Sequence, residues 1–193
     1  MRNPVDHPVH ETLAARWSPS VFDPDRAVAR DDLLSLLEAA RWTMSSYNEQ
    51  PWRYVVGVRG AGDGVRERVL AILAEGNRAW AERAPVLALG LVVRRFESNG
   101  KPNRAAEHDL GAASACLTIE ASSRGLCVHQ MIGLDRDAAR EAFGIDESMD
   151  VVTALAIGYA GDPSTADAKL AERDAKARTR RPLEEIVLHG GLG

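Results

Sequence analysis

The stretch Asp109–Arg124 constrains this chain more than any other. Leu110, Ala113, Leu117 and Ala121 recur at helical spacing and form one apolar stripe, and Ala112, Cys116 and Ile119 form a second. A helix that is apolar on most sides and rich in small residues is buried and closely approached by a neighbour. That neighbour is either another element of the same core or a second copy of the helix. Gly125 follows as a natural left-handed C-terminal residue.

The rest of the chain reads as alternating helices and strands. Val9–Trp17 forms a short helix ending near Ser18-Pro19. Asp31 and Asp32 open another, with Leu33, Leu36, Leu37 and Ala40 on one face. Arg53–Val58 is a strand. Val65, Val69, Ile72 and Leu73 mark the inner face of a helix with Gly76 near its end, and Asn77–Arg83 carries a second short helix. Val86–Val93 is continuously apolar, as in a central strand covered on both faces. Cys127–Gly133 is a short strand or extended loop, Asp135–Phe143 a helix and Val151–Tyr159 a strand. Beyond Gly161-Asp162-Pro163 the chain turns polar and Ala-rich, like an extended arm, and ends in Leu183–Leu188 as an edge strand or a helix. The helices are long and unequal, and no Gly-rich fingerprint follows the first strand. The pattern is an α+β layered domain rather than a dinucleotide-binding one.

The 193 residues, 45% of them hydrophobic, suffice for one buried core, and no apolar run is long enough to span a bilayer. The N-terminus lacks the apolar run of a signal peptide. Cys116 and Cys127 form no CxxC pair, and reduced thiols in a cytoplasmic protein are expected. A net charge of −4 argues against a nucleic-acid surface. The basic run Lys176–Arg181 is long enough to hold one phosphate. His7 and His10 share a helix face with Glu11 beside them, but no further ligand lies at a recognised spacing, so no metal is expected. Gly60–Gly64 lacks a following Gly-Lys-Ser/Thr and is a turn. Cys127 has no identifiable base beside it, and His108 is the best exposed titratable group.

Met44–Arg53 crowds two hydroxyls, two amides, a proline and a tryptophan into one helix-to-strand loop. Such side chains both donate and accept hydrogen bonds, which suits a planar heterocycle edged with carbonyl and N–H groups. The segment Ser45-Ser46-Tyr47-Asn48-Glu49-Gln50-Pro51-Trp52 resembles the Ser-Ser-x-Asn-x-Gln-Pro-Trp signature of the nitroreductase family of flavin enzymes, with Met44 in place of the usual Pro. Four further segments resemble the family in the same order. Arg16-Trp17-Ser18-Pro19-Ser20-Val21-Phe22 is similar to its opening, although Ser20 stands where a cation is usual. Asn77 precedes the second core strand, with Trp80 where some members carry Lys. Asp109-Leu110-Gly111, Gly125-Leu126 and Gln130-Met131-Ile132-Gly133 resemble its Asp-x-Gly helix and following strand. Arg178 and Arg180 resemble its C-terminal basic pair.

The resemblance implies a nitroreductase-like layered fold, with a central mixed sheet flanked by helices, in an intertwined homodimer. Residues 1–193 would form one domain, with 163–193 as a C-terminal arm packing on the partner subunit. FMN would be bound, with NAD(P)H as co-substrate and a nitroaromatic, quinone or other electron-poor small molecule as acceptor, in ping-pong turnover. Arg16, Arg178 and Arg180 would clamp the phosphate, with Trp17 and Ser18 beside it and Ser20 near the pyrimidine edge. Asn77 would read the ring edge, and the backbone at Gln130, Met131, Ile132 and Gly133 would face N5 and O4. Ser45, Ser46 and Asn48 would touch the flavin held mainly by the other subunit. No catalytic side chain stands out. The alternatives are a non-catalytic FMN-binding protein of the same fold, or a specialised member of dehalogenase or flavin-fragmenting type.

Overall fold

The computed structural model describes residues 2–190. Its centre is a four-stranded sheet in the order β1-β2-β4-β3, formed by β1 (Trp52–Val58), β2 (Val86–Val93), β3 (Cys127–Met131) and β4 (Met149–Gly158). All three pairings are antiparallel, where a mixed sheet was expected. The difference follows from the connections. The segments between β1 and β2 and between β3 and β4 return the chain antiparallel to its neighbour, while α5 carries it from β2 past β4 to β3, which runs parallel to β2 without pairing with it.

β2 shows why its run of apolar residues is unbroken. Val86, Ala88 and Val92 face α2 (Arg30–Arg41) and α5 (Ala106–Ser123), where Leu36, Leu110, Ala113 and Leu117 are buried. Leu87, Leu89 and Leu91 face the opposite layer, made by α3 (Val65–Ile72), α4 (Glu75–Ala81) and α6 (Arg136–Phe143), with Phe22, Val69, Trp80 and Ala139. Both faces of the sheet are therefore dry, and a polar residue on β2 would have no exit to water.

α5 begins one turn before Asp109, because the Asn103 side chain accepts the Ala105 N–H and pre-forms the turn. Its first stripe is buried in the chain's own core, while Ala112, Cys116 and Ile119 are only partly covered. The helix ends as expected, with Gly125 left-handed at φ 74°.

Other boundaries move for local reasons. α1 is Glu11–Ala15, capped by the His10 side chain accepting the Thr12 N–H. Gly76 lies inside α4 rather than at the end of α3, because Leu73 turns extended and pairs with Leu134. The C-terminal segment is not simply extended. It carries α7 (Ala168–Ala175), capped by Asp167, and the short α8 (Leu183–Ile186).

Candidate anion site and the cleft beside it

The Arg16–Phe22 segment leaves α1 and runs alongside the edge strand β3. His129 on β3 donates from Nδ1 to the Pro19 carbonyl at 2.8 Å, and Phe22 bridges to Ala160 after β4. This places Arg16, Trp17 and Ser18 at the surface next to the start of β3, with Arg16 Nη1 donating to Ser18 Oγ at 3.3 Å. Lys176, after α7, is extended, and the alternation of the chain there turns Arg178 and Arg180 the same way. Two adjoining cavities of about 210 and 220 Å³ result, and Arg16, Arg178 and Arg180 line both.

The second of these also takes in Trp17, Ser18, Arg173, Asp174 and Lys176. The Arg178 guanidinium lies 5.6 Å from the centre of the Trp17 ring. Partial burial, and then the neighbouring Arg180 and Arg178, lower the Arg16 pKa from its ordinary value. Arginine stays charged regardless, so the cavity is a positively charged one. Arg181 points elsewhere, to Glu185 at 3.2 Å.

A second group lies at the far end of β3. Asn77 Nδ2 and the Ala74 N–H both donate to the Gly133 carbonyl at 3.0 Å. A Cβ on Gly133 would come within 2.6 Å of Asn77 Nδ2, so this close approach requires glycine. Met131 is buried, while Ile132 next to it is 75% exposed. From Cys127 beside Arg16 to Gly133 is six residues, about 20 Å of extended chain. The two groups thus lie at opposite ends of β3, an edge strand of the sheet.

The third group is the signature loop. Ser45 Oγ accepts the Gln50 N–H at 3.0 Å, and the Ser46 N–H donates to Asp109 Oδ2 at 3.0 Å. Tyr47, Asn48 and Gln50 all have positive φ, between 51° and 56°. Three non-glycine residues in the left-handed region within one loop mark a backbone held by its surroundings. Tyr47 is 92% exposed, its ring edge against Phe96. The Arg53 guanidinium donates to the Gln50 carbonyl at 2.9 Å, and no hydrogen bond among the described residues joins this loop to Arg16 or Arg180.

One sequence expectation changes, and the structure places two further residues. Ser20 is wholly buried, its N–H on the Asp174 carboxylate, so its side chain does not line the cleft. Trp80 is 1% exposed and stacks on His129 at 4.3 Å inside the core. A small hydroxyl and a large apolar ring follow the packing inward where a cation would stay at the surface. The Gln130 side-chain amide donates to the Ser114 carbonyl and Thr118 Oγ1 and so ties β3 to α5.

Lys176 belongs to the basic run expected to hold a phosphate, whereas Arg173 and Asp174 were not recognised from sequence. The signal was there in Asp167, which caps α7, and Leu170, which packs on the core three residues later. His108 is exposed, with Nδ1 3.2 Å from the buried Asp109 carboxylate. Burial raises the Cys127 pKa, which keeps it a thiol. Among the described residues no group of His, Cys, Asp or Glu is arranged to hold a metal ion, and no helix is long and apolar enough to cross a membrane.

Residues 13–159 match the model of the nitroreductase family. A crystal structure described as an oxidoreductase containing FMN is similar over 99% of this chain and 96% of its own, at 31% identity and a TM-score of 0.90. An uncharacterized 15.4 kDa protein of Mycolicibacterium smegmatis is 38% identical over 147 residues, 73% of this chain and 97% of that protein. The major NAD(P)H-flavin oxidoreductase of Aliivibrio fischeri is 42% identical over 52 residues, 27% of this chain and 24% of that one. With the match over most of its length, the chain belongs to the nitroreductase family.

Proposed function

We propose that this protein is an FMN-dependent oxidoreductase that takes electrons from NAD(P)H and passes them to an electron-poor small molecule. The observation that carries the reading is the convergence of Arg16, Ser18, Arg178 and Arg180 on one cavity, from segments about 160 residues apart. A phosphate monoester dianion relieves their mutual repulsion and offers acceptors for several guanidinium hydrogen bonds. The relative described as containing FMN, similar over nearly the whole chain, supports the same group.

The residues present fit it. Arg16, Arg178, Arg180 and Ser18 would hold the phosphate. β3 is an edge strand, so one row of its backbone groups is not used by the sheet. The backbone around Met131 and Ile132 would orient the ring, and Gly133, whose missing side chain admits the Asn77 amide, fixes the turn that follows. Bound FMN supplies the hydride chemistry, and the protein supplies position and electrostatics. NAD(P)H and the acceptor use the same cleft in turn, hence ping-pong kinetics.

The site is completed by a second copy of the chain. Leu34, Trp42, Met44, Tyr47, Ile119 and Ile132 are large apolar side chains left exposed on one chain, and Ala112 and Cys116 are half-covered on the same helix as Ile119. A homodimer covers them and brings Ser45, Ser46 and Asn48 to the partner's cofactor, with the C-terminal arm also packing on the partner.

The test is fluorescence titration of apoprotein with FMN, followed by anaerobic NAD(P)H oxidation with quinone and nitroaromatic acceptors. Wild type is expected to bind FMN and turn over. Arg16→Ala is expected to weaken FMN by about tenfold or more, and most at low salt. Wild-type apoprotein that binds no FMN overturns the reading. FMN binding without NAD(P)H oxidation favours a non-catalytic flavin-binding role.

A further inference from the structure

The C-terminal segment supplies four of the five cations at the anion site: Arg173, Lys176, Arg178 and Arg180. The site is therefore only as well formed as the docking of that segment. α7 is short and largely exposed, with Leu170 packed against the core. Its last turn is anchored by Asp174. One carboxylate oxygen accepts the Ser20 N–H at 2.9 Å, and the other accepts the Ser20 and Val21 N–H groups at 2.8 Å each. Ser20 and Val21 are buried, so these N–H groups have no route to water and need an acceptor. Arg173 and Lys176 flank Asp174 and face the same cavity.

We propose that Asp174 is the latch of the phosphate site, a positioning residue whose carboxylate strengthens the binding of a dianionic phosphate monoester although it carries the same sign of charge. The inference rests on the FMN reading for the identity of that monoester. Docking of α7 and occupation of the phosphate site are then one coupled event. The phosphate draws Arg173, Lys176, Arg178 and Arg180 together, and Asp174 holds the backbone from which they project.

The sign of one effect decides the matter. Simple electrostatics says that removing a carboxylate beside a dianion tightens binding, most at low salt. The latch says the opposite. Asp174→Ala is expected to weaken FMN by about tenfold or more, with the near-UV circular dichroism of the core unchanged. The second readout is trypsin cleavage within Lys176–Arg181. FMN, or inorganic phosphate at higher concentration, is expected to shield this run in wild type and not in Asp174→Ala. Arg173→Ala/Lys176→Ala, at exposed positions that do not threaten folding, is expected to weaken FMN and to lose part of the shielding.

Asp174→Ala that binds FMN as tightly as wild type or tighter overturns the latch. Wild type that fails to bind FMN but is shielded by inorganic phosphate, with the shielding lost in Asp174→Ala, overturns the flavin reading and leaves the latch standing. Wild type that binds FMN but is shielded by neither ligand overturns the latch and leaves the flavin reading standing, and wild type that neither binds FMN nor is shielded by phosphate overturns both.

Discussion

Asp109, near the start of α5, reaches back 63 residues to accept the backbone N–H of Ser46 at 3.0 Å. Its carboxylate is 3% exposed, and its other oxygen faces the imidazole of His108. A buried helix thus holds the signature loop by one charge-assisted hydrogen bond. Tyr47, Asn48 and Gln50 keep their left-handed backbone just beyond that anchor.

Asp109→Ala is accordingly expected to cost about 1–3 kcal/mol, the penalty of leaving the Ser46 N–H without its acceptor. Asp109→Asn keeps an acceptor and is expected to cost less. Urea denaturation measures both. Amide exchange at Ser46 is expected to speed up in the alanine variant, and an unchanged exchange rate there would show that the loop holds itself.

Gly133→Ala places a methyl 2.6 Å from Asn77 Nδ2. The amide must swing away and give up its bond to the Gly133 carbonyl, at about 1–3 kcal/mol for the crowding. Asn77→Ala, which makes room, is expected to relieve the Gly133→Ala variant. A double-mutant cycle by thermal unfolding reads this as non-additivity. Strict additivity would mean that the two residues do not meet.

Ser20→Arg tests the position at which relatives usually place a cation. The Ser20 side chain is fully buried, so a guanidinium there enters the core, and the carboxylate beside it, Asp174, is already engaged by the Ser20 and Val21 N–H groups. The expected result is a loss of about 3 kcal/mol or more and a lower Tm, not a retuned flavin. A variant as stable as wild type would place position 20 at an open surface.

Stability is expected to fall on acidification through His129. Burial lowers its pKa from the ordinary 6.5. The bond from Nδ1 to the Pro19 carbonyl selects the neutral tautomer with the proton on Nδ1. The unfolded chain therefore takes up the proton at higher pH than the folded one. Full stability is present above about pH 6.5 and is lost as pH drops from there toward the folded value. His129→Gln is expected to flatten the stability profile in that window. Equal slopes in urea titrations of both proteins would assign the dependence to another group.

The apolar periodicities of α2, α3 and α5 and the unbroken run of β2 were legible because burial in a layered domain writes itself into residue spacing. The signature loop was legible because it gathers polar side chains where a connection needs few. Direct alternation sufficed to pair Arg178 with Arg180. Sheet polarity was not legible, since strand direction depends on how the connecting helices return the chain. Nor were the burial of Ser20 and Trp80, the tie of the Gln130 amide to α5 and the docking of α7. Each of these depends on a partner far away in sequence: the Asp174 carboxylate lies 154 residues from Ser20, and the Ser114 carbonyl lies on a different element from Gln130. Local spacing tells a residue which face of its own element it occupies. Only the packed structure decides which buried N–H needs a carboxylate, and so which turn of a polar tail becomes part of the site.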